Sequence, residues 1–463
     1  MFIKIHFPRF RQYVAALSVS FGMFISGLVV GWSGNNTDTL LAGKYNDITI
    51  TVTDLGWIVS LPTLSPIIAF FPVGILCDVI GRKTTLLFVS ACGTVGWILT
   101  VFANSSALLF VGRFVTGIGS GSFFLLIPIY SVEIAEKDIR AKLGSFGFLF
   151  LQCGVLFCFV MAYFVNMKIL TIVCTALSAV FFIVLLFQDE SPTFKIKKND
   201  LESARRILLR LRRQSYDVDA EIKEIKENLF HGNKQNFKKA LKTRSNRIAT
   251  VTSFGINFFQ HLGGTTVIIL YTNEIFSSAN AFLNPKHASI IVGGIQVVAA
   301  MIASSVIDFF RRRVLLITSF IFTSIGLMIL GIYFTLKDRD LVSDDLLSTL
   351  GFMPLLGLSI FTLMNSIGVL PLSSILPAEI YPVEIKGVAM SVLSVYSWIM
   401  IFLVSRFYGD LKLAIGGDIT FYIFAGMCCL GSIFSYLTVP ETKNKSLEQI
   451  QIEVNHKQNV DKE

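Results

Sequence analysis

Gly74-Ile-Leu-Cys-Asp78-Val-Ile-Gly81-Arg82-Lys83 closes one apolar stretch, and Asp308-Phe-Phe-Arg-Arg312-Arg313 closes another in the second half of the chain. In both, cations follow an acid at spacings of four and five residues. A second pair of charges recurs as well: Glu133 precedes Arg140 by seven residues, and Glu379 precedes Lys386 by seven. The distance between matching motifs drifts, as it does when loops differ in length. Charges repeated at matched places in two halves of an apolar chain point to duplicated helix bundles that move against each other.

Composition supports that reading. Hydrophobic residues make up 53% of the 463 and charged residues 15%, with a mean hydropathy of +0.67. A soluble domain carries roughly 25% charged residues, so this chain cannot cover a globular surface. The net charge of +9 does not indicate nucleic acid, because residues 195–247 hold 16 Lys/Arg against 7 Asp/Glu and account for the whole excess. A basic loop beside membrane segments is a cytoplasmic retention signal. The seven cysteines (Cys77, Cys92, Cys153, Cys158, Cys174, Cys428 and Cys429) lie in or beside apolar runs, where they read as small buried side chains rather than a disulfide framework. No Cys/His spacing suggests a metal and nothing suggests a cofactor.

Twelve apolar stretches fall between residues 13 and 439, each long enough for about 20 residues of span. Unalternating segments of that length are helices, since a backbone in lipid must satisfy its own polar groups. The expected fold is an all-α membrane protein with twelve transmembrane helices in a six-plus-six arrangement. Its parts are an N-terminal bundle (1–190), a linker (191–247), a C-terminal bundle (248–440) and a tail (441–463). Lys and Arg fall in alternate loops, so both termini and the linker are expected on the cytoplasmic side. Asn35 and Asn104 begin glycosylation sequons in expected outside loops; Asn444 begins one placed inside and expected unmodified. In the linker, Asp200 is positioned to cap a helix with Leu201, Ala204, Leu208 and Leu211 on one face. Ile222, Ile225 and Leu229 mark a second stripe, with Asp219 and Lys223 one turn apart. Short amphipathic helices on the inner membrane face fit this pattern, as does a partly ordered solvated linker.

These strings resemble the loop signatures of the major facilitator superfamily, and further strings are similar to its sugar porters. Gly112-Arg113 with Gly117, Gly119 and Gly121, then Pro128-Ile-Tyr130 and Glu133 to Arg140, resemble that family's fourth span and following loop. Glu190-Ser-Pro192 resembles the Pro-Glu-Ser-Pro element after span six, with Asp189 in place of the first proline. Pro440-Glu-Thr-Lys443 with Leu447 and Ile450 resembles the signature after span twelve. The short segment before span one and Gly31-Trp32-Ser33 are most similar to the insect facilitated trehalose transporter-like group. The resemblance implies a cytoplasmic gate of Asp78, Arg82, Lys83, Arg113, Glu133, Arg140, Glu190, Asp308, Arg312, Arg313, Glu379, Lys386 and Glu441.

The binding cavity implied by the resemblance departs from the family. Span seven reads Gln260-His261-Leu-Gly-Gly264-Thr265-Thr266 where the family has Gln-Gln-Leu-Ser-Gly-Ile-Asn. Amides suit a sugar because each donates and accepts at once; Gln260 keeps that ability, His261 part of it, and Thr266 is shorter. In span ten Pro371 remains, but Ser374 replaces the expected tryptophan. Trp398, beside Ser397 in span eleven, stands at another family tryptophan. Gln152 lies one turn from the usual span-five glutamine, and Gln296 matches a polar position in span eight. For all of these, interhelical bonding without ligand contact is the alternative, worth about 0.6 kcal/mol per bond in membranes.

Proton-coupled members of the family place an acid in span one opposite the span-four arginine, here Arg113. Tyr13 to Gly34 contains no Asp or Glu, which favours passive uniport. The expected function is facilitative transport of a hexose or trehalose across the plasma membrane by a functional monomer. Its partners are the sugar and the lipid bilayer, and nucleic acid is not among them. A carrier of a polyol or glucoside, and a sugar sensor that does not transport, stay open. An enzyme is not expected, because no nucleophile–base pair or phosphate-cradling loop is present.

Overall fold

The computed structural model describes residues 7–136, 138–212, 217–231, 244–279, 284–443 and 445. Several expectations lie outside that set: Arg213, Asn444, Leu447 and Ile450, and the side chains of Arg140, Leu229 and Asp308. Every regular element among the described residues is helical. Spans one to six are Phe7–Leu41, Val52–Ile80, Arg82–Val101, Ser106–Ile134, Arg140–Phe164 and Met167–Leu186. Spans eight, nine, eleven and twelve are Pro285–Phe309, Arg312–Asp338, Val383–Ile415 and Gly417–Thr438.

Span ten runs within Asp344–Ile380 but is not uniform: Met353–Met364 is α-helical, Asn365–Val369 is a π-helical turn, and Leu370–Ile380 resumes the α-helix. Among the described residues, eleven helices are long and apolar enough to cross a membrane. The seventh stretch is the exception. It is cut into Arg244–Leu262, Thr265–Leu270 and Thr272–Ala279. The first break is made by Gly264, whose φ of 83° is left-handed, a conformation that a side chain resists.

The chain divides into two compact units. The first holds Met1–Trp32, Gly43–Ile48 and Leu61–Lys234; the second holds Ser33–Ala42, Thr49–Ser60 and Gln235–Glu463. The end of span one and the start of span two therefore group with the second unit, and most of the linker groups with the first. Within the first unit, spans two and four meet through small residues. A Cβ on Gly117 would stand 2.5 Å from Pro62 Cα, and one on Gly121 would fall inside the Pro66 ring. Close approach of this kind is how helices associate in lipid, where apolar side chains gain nothing by leaving the solvent.

The linker differs from the expectation of helices lying on the membrane. Pro192–Lys197, Leu201–Leu211 and Val218–His231 turn their apolar stripes on one another, and Ile196, Ala204, Leu208, Val218 and Ile222 form a small core. Asp200 caps the second of these helices as expected, accepting from Ser203 N at 3.2 Å. That bond and the Ser203 hydroxyl, with Lys195, hold the Asp200 carboxyl below its usual range. Asp219 pairs with Arg205 at 3.2 Å rather than with Lys223. The subdomain is fastened to the first unit, because Arg212 joins Glu221 at 2.7 Å and donates to Ile134 O at 2.7 Å, and Gln12 donates to Leu211 O at 2.8 Å. The buried stripes are thus spent on each other, leaving arginines outward.

Truncating Leu208 to Ala should cost the linker core about 2–4 kcal/mol. Limited proteolysis should then cut residues 195–231 faster than in the wild type, whereas Arg206→Ala on the exposed face should leave the cutting rate unchanged.

Candidate functional site

The two units build the same charged cluster from equivalent residues. In the first, Arg82 opens span three and its guanidinium meets Glu133 at the end of span four, with Nε to Oε2 at 3.0 Å and Nη2 to Oε1 at 2.9 Å. Its Nη1 donates to Cys77 O at 3.1 Å. Glu190 accepts from the backbone N–H groups of Arg82 and Lys83 at 2.9 and 3.0 Å, filling the place of a helix cap with a carboxylate from a distant loop. Ser191 Oγ donates to Glu133. In the second unit, Arg312 opens span nine and donates to Glu379 at 3.1 and 3.2 Å and to Ile307 O at 3.3 Å. Glu441 accepts from Arg312 N at 3.1 Å, and Thr442 Oγ1 donates to Glu379 at 2.5 Å. One arginine, two glutamates and one hydroxyl thus recur in the same order.

The flanking cations also correspond. Lys83 Nζ donates to Leu186 O at 2.9 Å, and Arg313 donates to Tyr436 O while its guanidinium lies 5.2 Å from the Tyr436 ring centre. Asp78 joins Lys197 at 3.0 Å and Arg82 at 3.4 Å. Arg311 reaches Glu441 at 3.4 Å. No ion pair is found for Lys386 among the described residues, so it stands apart from the cluster.

Arg113 does not belong with these groups. It lies twenty residues before Glu133 on the same helix, about 30 Å away at 1.5 Å per residue. It is fully buried, donates to Val29 O at 3.1 Å and stacks 4.5 Å from the Trp32 ring centre. Trp32 is itself fixed by a bond to Thr171 Oγ1 at 2.9 Å. An aromatic face therefore meets this cation from span one. The first-span helix does reach Asp38, but that residue is nine positions from Val29, about 13 Å along the helix, and its carboxylate is taken by Asn273 Nδ2 at 3.0 Å.

A polar set lies within the second unit, around the interrupted backbone. Gln260 and His261 end the first part of span seven, and both are buried. Gln260 Oε1 and both His261 ring nitrogens lack a hydrogen-bond partner, as does Oε1 of buried Gln296 in span eight. Buried polar atoms without partners are costly, so these atoms mark where a polar ligand would be stabilised. Thr266 is half-buried and Ser374 exposed. Ser397 donates to Asn257 Oδ1 at 2.7 Å, and Trp398 beside it is half-buried. Gln152 is buried in span five of the first unit.

Two site residues escaped the sequence reading. Asn257 donates to Ser373 O at 3.3 Å and accepts from Ser397, joining spans seven, ten and eleven. Asn365 opens the π-turn and lies 3.1 Å from Thr265 Oγ1 at the break. Each is a single amide in an apolar run, and only the Gly263-Gly264 break hinted that its neighbourhood was special. Of the two sequons, Asn104 lies in an exposed loop. Asn35 does not: it sits inside the first-span helix at 3% exposure, where no glycan can be attached.

The chain matches the family model described as "Sugar (and other) transporter" over residues 10–454, and it belongs to that family. It is 32% identical to the facilitated trehalose transporter Tret1 of Anopheles gambiae over 95% of this chain and 55% of that one. It is 32% identical to Tret1 of Culex quinquefasciatus over 96% of this chain and 85% of that one. This chain therefore spans about half the length of the first relative. Among solved structures, the inward-open xylose transporter XylE from E. coli is similar, with a TM-score of 0.80 at 20% identity over 96% of this chain and 99% of that one. At that identity the likeness establishes the major facilitator fold.

Replacing Glu133 with Ala should strand Arg82, at about 3 kcal/mol. The protein should still reach the membrane, but it should melt earlier in detergent. Wild-type melting in Glu133→Ala would show that the cluster carries no such energy.

Proposed function

We propose that this multi-pass membrane protein is a facilitative uniporter of a sugar, a hexose or trehalose, working by alternating access in the plasma membrane with both termini in the cytoplasm. The observation that carries this reading is the break at Gly264, which puts unpartnered Gln260 and His261 atoms beside non-helical backbone within the bilayer. Backbone leaves the helix at membrane depth only where it lines a cavity or is buried in protein. Neutral amides and hydroxyls that donate and accept suit a polyhydroxylated solute. The trehalose transporter relatives support the choice of cargo.

In this mechanism the sugar binds to Gln260, His261 and Gln296, with Asn257 and Asn365 holding the shape of the break. Thr266, Ser374, Ser397 and Trp398 are further contacts of the same cavity, and Gln152 is a ligand contact in the first unit. The Arg82 cluster with Asp78, Lys83 and Arg140, and the Arg312 cluster with Asp308 and Arg313, act as the cytoplasmic gates of their own units, with Lys386 a separate cation of the second. Each pair is modest in energy, but several that form in one state and break in the other bias a two-state equilibrium. Uniport rather than proton coupling is supported by Trp32, which meets Arg113 where coupled relatives of the family carry an acid.

The test is uptake of radiolabelled trehalose, glucose and fructose in a transport-deficient cell. One of them should enter saturably, and a protonophore should leave the initial rate unchanged; no saturable uptake of any sugar would refute the reading. Gln260→Ala should raise the half-saturating concentration about tenfold, the loss of one hydrogen bond to the ligand. Deglycosylation should shift the mobility of the wild type and of Asn35→Gln, and leave Asn104→Gln unshifted.

A further inference from the structure

A second group of unpartnered polar atoms lies at the other end of span seven, far from Gln260. Asn35, on the part of span one that groups with the second unit, is buried with both its Oδ1 and Nδ2 unbonded. Asn35 and Asp38 are three residues apart and share a helix face, and Asp38 accepts from Asn273 Nδ2 at 3.0 Å. Asn273 Oδ1 has no partner. Two residues before Asn273, the Tyr271 ring packs 4.7 Å from the Tyr408 ring of span eleven. The Tyr408 hydroxyl is buried and unbonded, whereas that of Tyr271 donates to Ser405 O at 3.0 Å.

Four polar atoms on three elements thus lack partners toward this end of the second unit. Burying each unmade bond costs about 1–3 kcal/mol, so the set is stable only if something else completes it. Amides and hydroxyls both donate and accept, and the carboxylates nearby are already engaged, Asp38 by Asn273 at 3.0 Å, Glu274 by Lys412 at 2.9 Å and Asp410 by Arg406 at 2.7 Å. Such a surface suits a neutral polyhydroxylated ligand better than an ion. Gln260 and Asn273 are thirteen residues apart along span seven, with both of its breaks between them, and so stand at separate places.

We propose that Asn35, Asn273 and Tyr408 form a second sugar-binding station, on the face of the membrane opposite the linker. This inference rests on the sugar-transport reading above. A solute arriving from that face is held at the station before it reaches the central site.

The experiment uses the full chain in sealed vesicles. Asn35→Cys is labelled from the face opposite the linker with a membrane-impermeant maleimide, against the background of the seven native cysteines. Saturating trehalose should slow labelling of the added thiol by roughly tenfold or more, as expected when occupancy blocks access. The half-protecting concentration should be the same when Gln260→Ala is added. Loss of protection in that double variant would mean that residue 35 reports only closure around the central site, and the station would be refuted. No labelling, or labelling that trehalose never slows, would refute it too. Trehalose uptake by the wild type is measured in parallel: uptake with no protection leaves the transport reading standing alone, and protection with no uptake does the reverse. If Asn35→Cys fails to reach the membrane, Asn273→Cys replaces it with the same expectations.

Discussion

Lipid offers no hydrogen bonds, so each polar backbone group inside a membrane must be satisfied by the protein. That constraint fixes nearly every span as an unbroken helix and makes the departures informative. Two such departures lie in the second unit, the left-handed turn at Gly264 and the π-turn at Asn365–Val369. They touch each other through Thr265 and Asn365. The chain has left the helix at two points and used a side-chain contact to join them, with Gln260 and His261 held at the edge. A π-turn adds one residue to the ring of the hydrogen bond and often accompanies a functional site.

The arginine clusters obey a related constraint on charge. A guanidinium close to the membrane face is costly unless both of its edges are met. Arg82 and Arg312 solve this in related ways, each with a glutamate from the neighbouring span and a carbonyl five residues back. Arg82 reaches its glutamate through two nitrogens, whereas Arg312 shares its Nε–H between both oxygens of Glu379.

The duplicated architecture was legible because it rests on spacing: Asp78/Arg82 against Asp308/Arg312, and Glu133 against Glu379. Spacing survives when individual side chains change. The partners Glu190 and Glu441 came from resemblance, and their cap-like role on backbone N–H groups needed coordinates. Arg113 was misplaced because a charged residue on a span was read with its motif rather than by its depth along the helix. Asn35 was misread because the first span continues seven residues beyond Gly34 and carries its sequon into packed helix. The linker stripes were correctly seen as amphipathic, but the pattern alone does not say whether an apolar face meets lipid or another helix. Asn257 and Asn365 were illegible because one amide in an apolar run carries no period.

The carboxylates of Glu190 and Glu441 also have a mechanical meaning. Each comes from the segment just after the last helix of its bundle and grips the first backbone amides of a helix begun about a hundred residues earlier. Gly81, which precedes one of these helices, is so close to Glu190 that a side chain there would overlap the carboxylate. A pull, twist or added bulk on the stretch following span six is therefore delivered directly to the foot of span three, and the same leverage links the segment after span twelve to span nine. The connectors act as handles on the membrane helices, each coupled to a helix start through a glutamate oxygen.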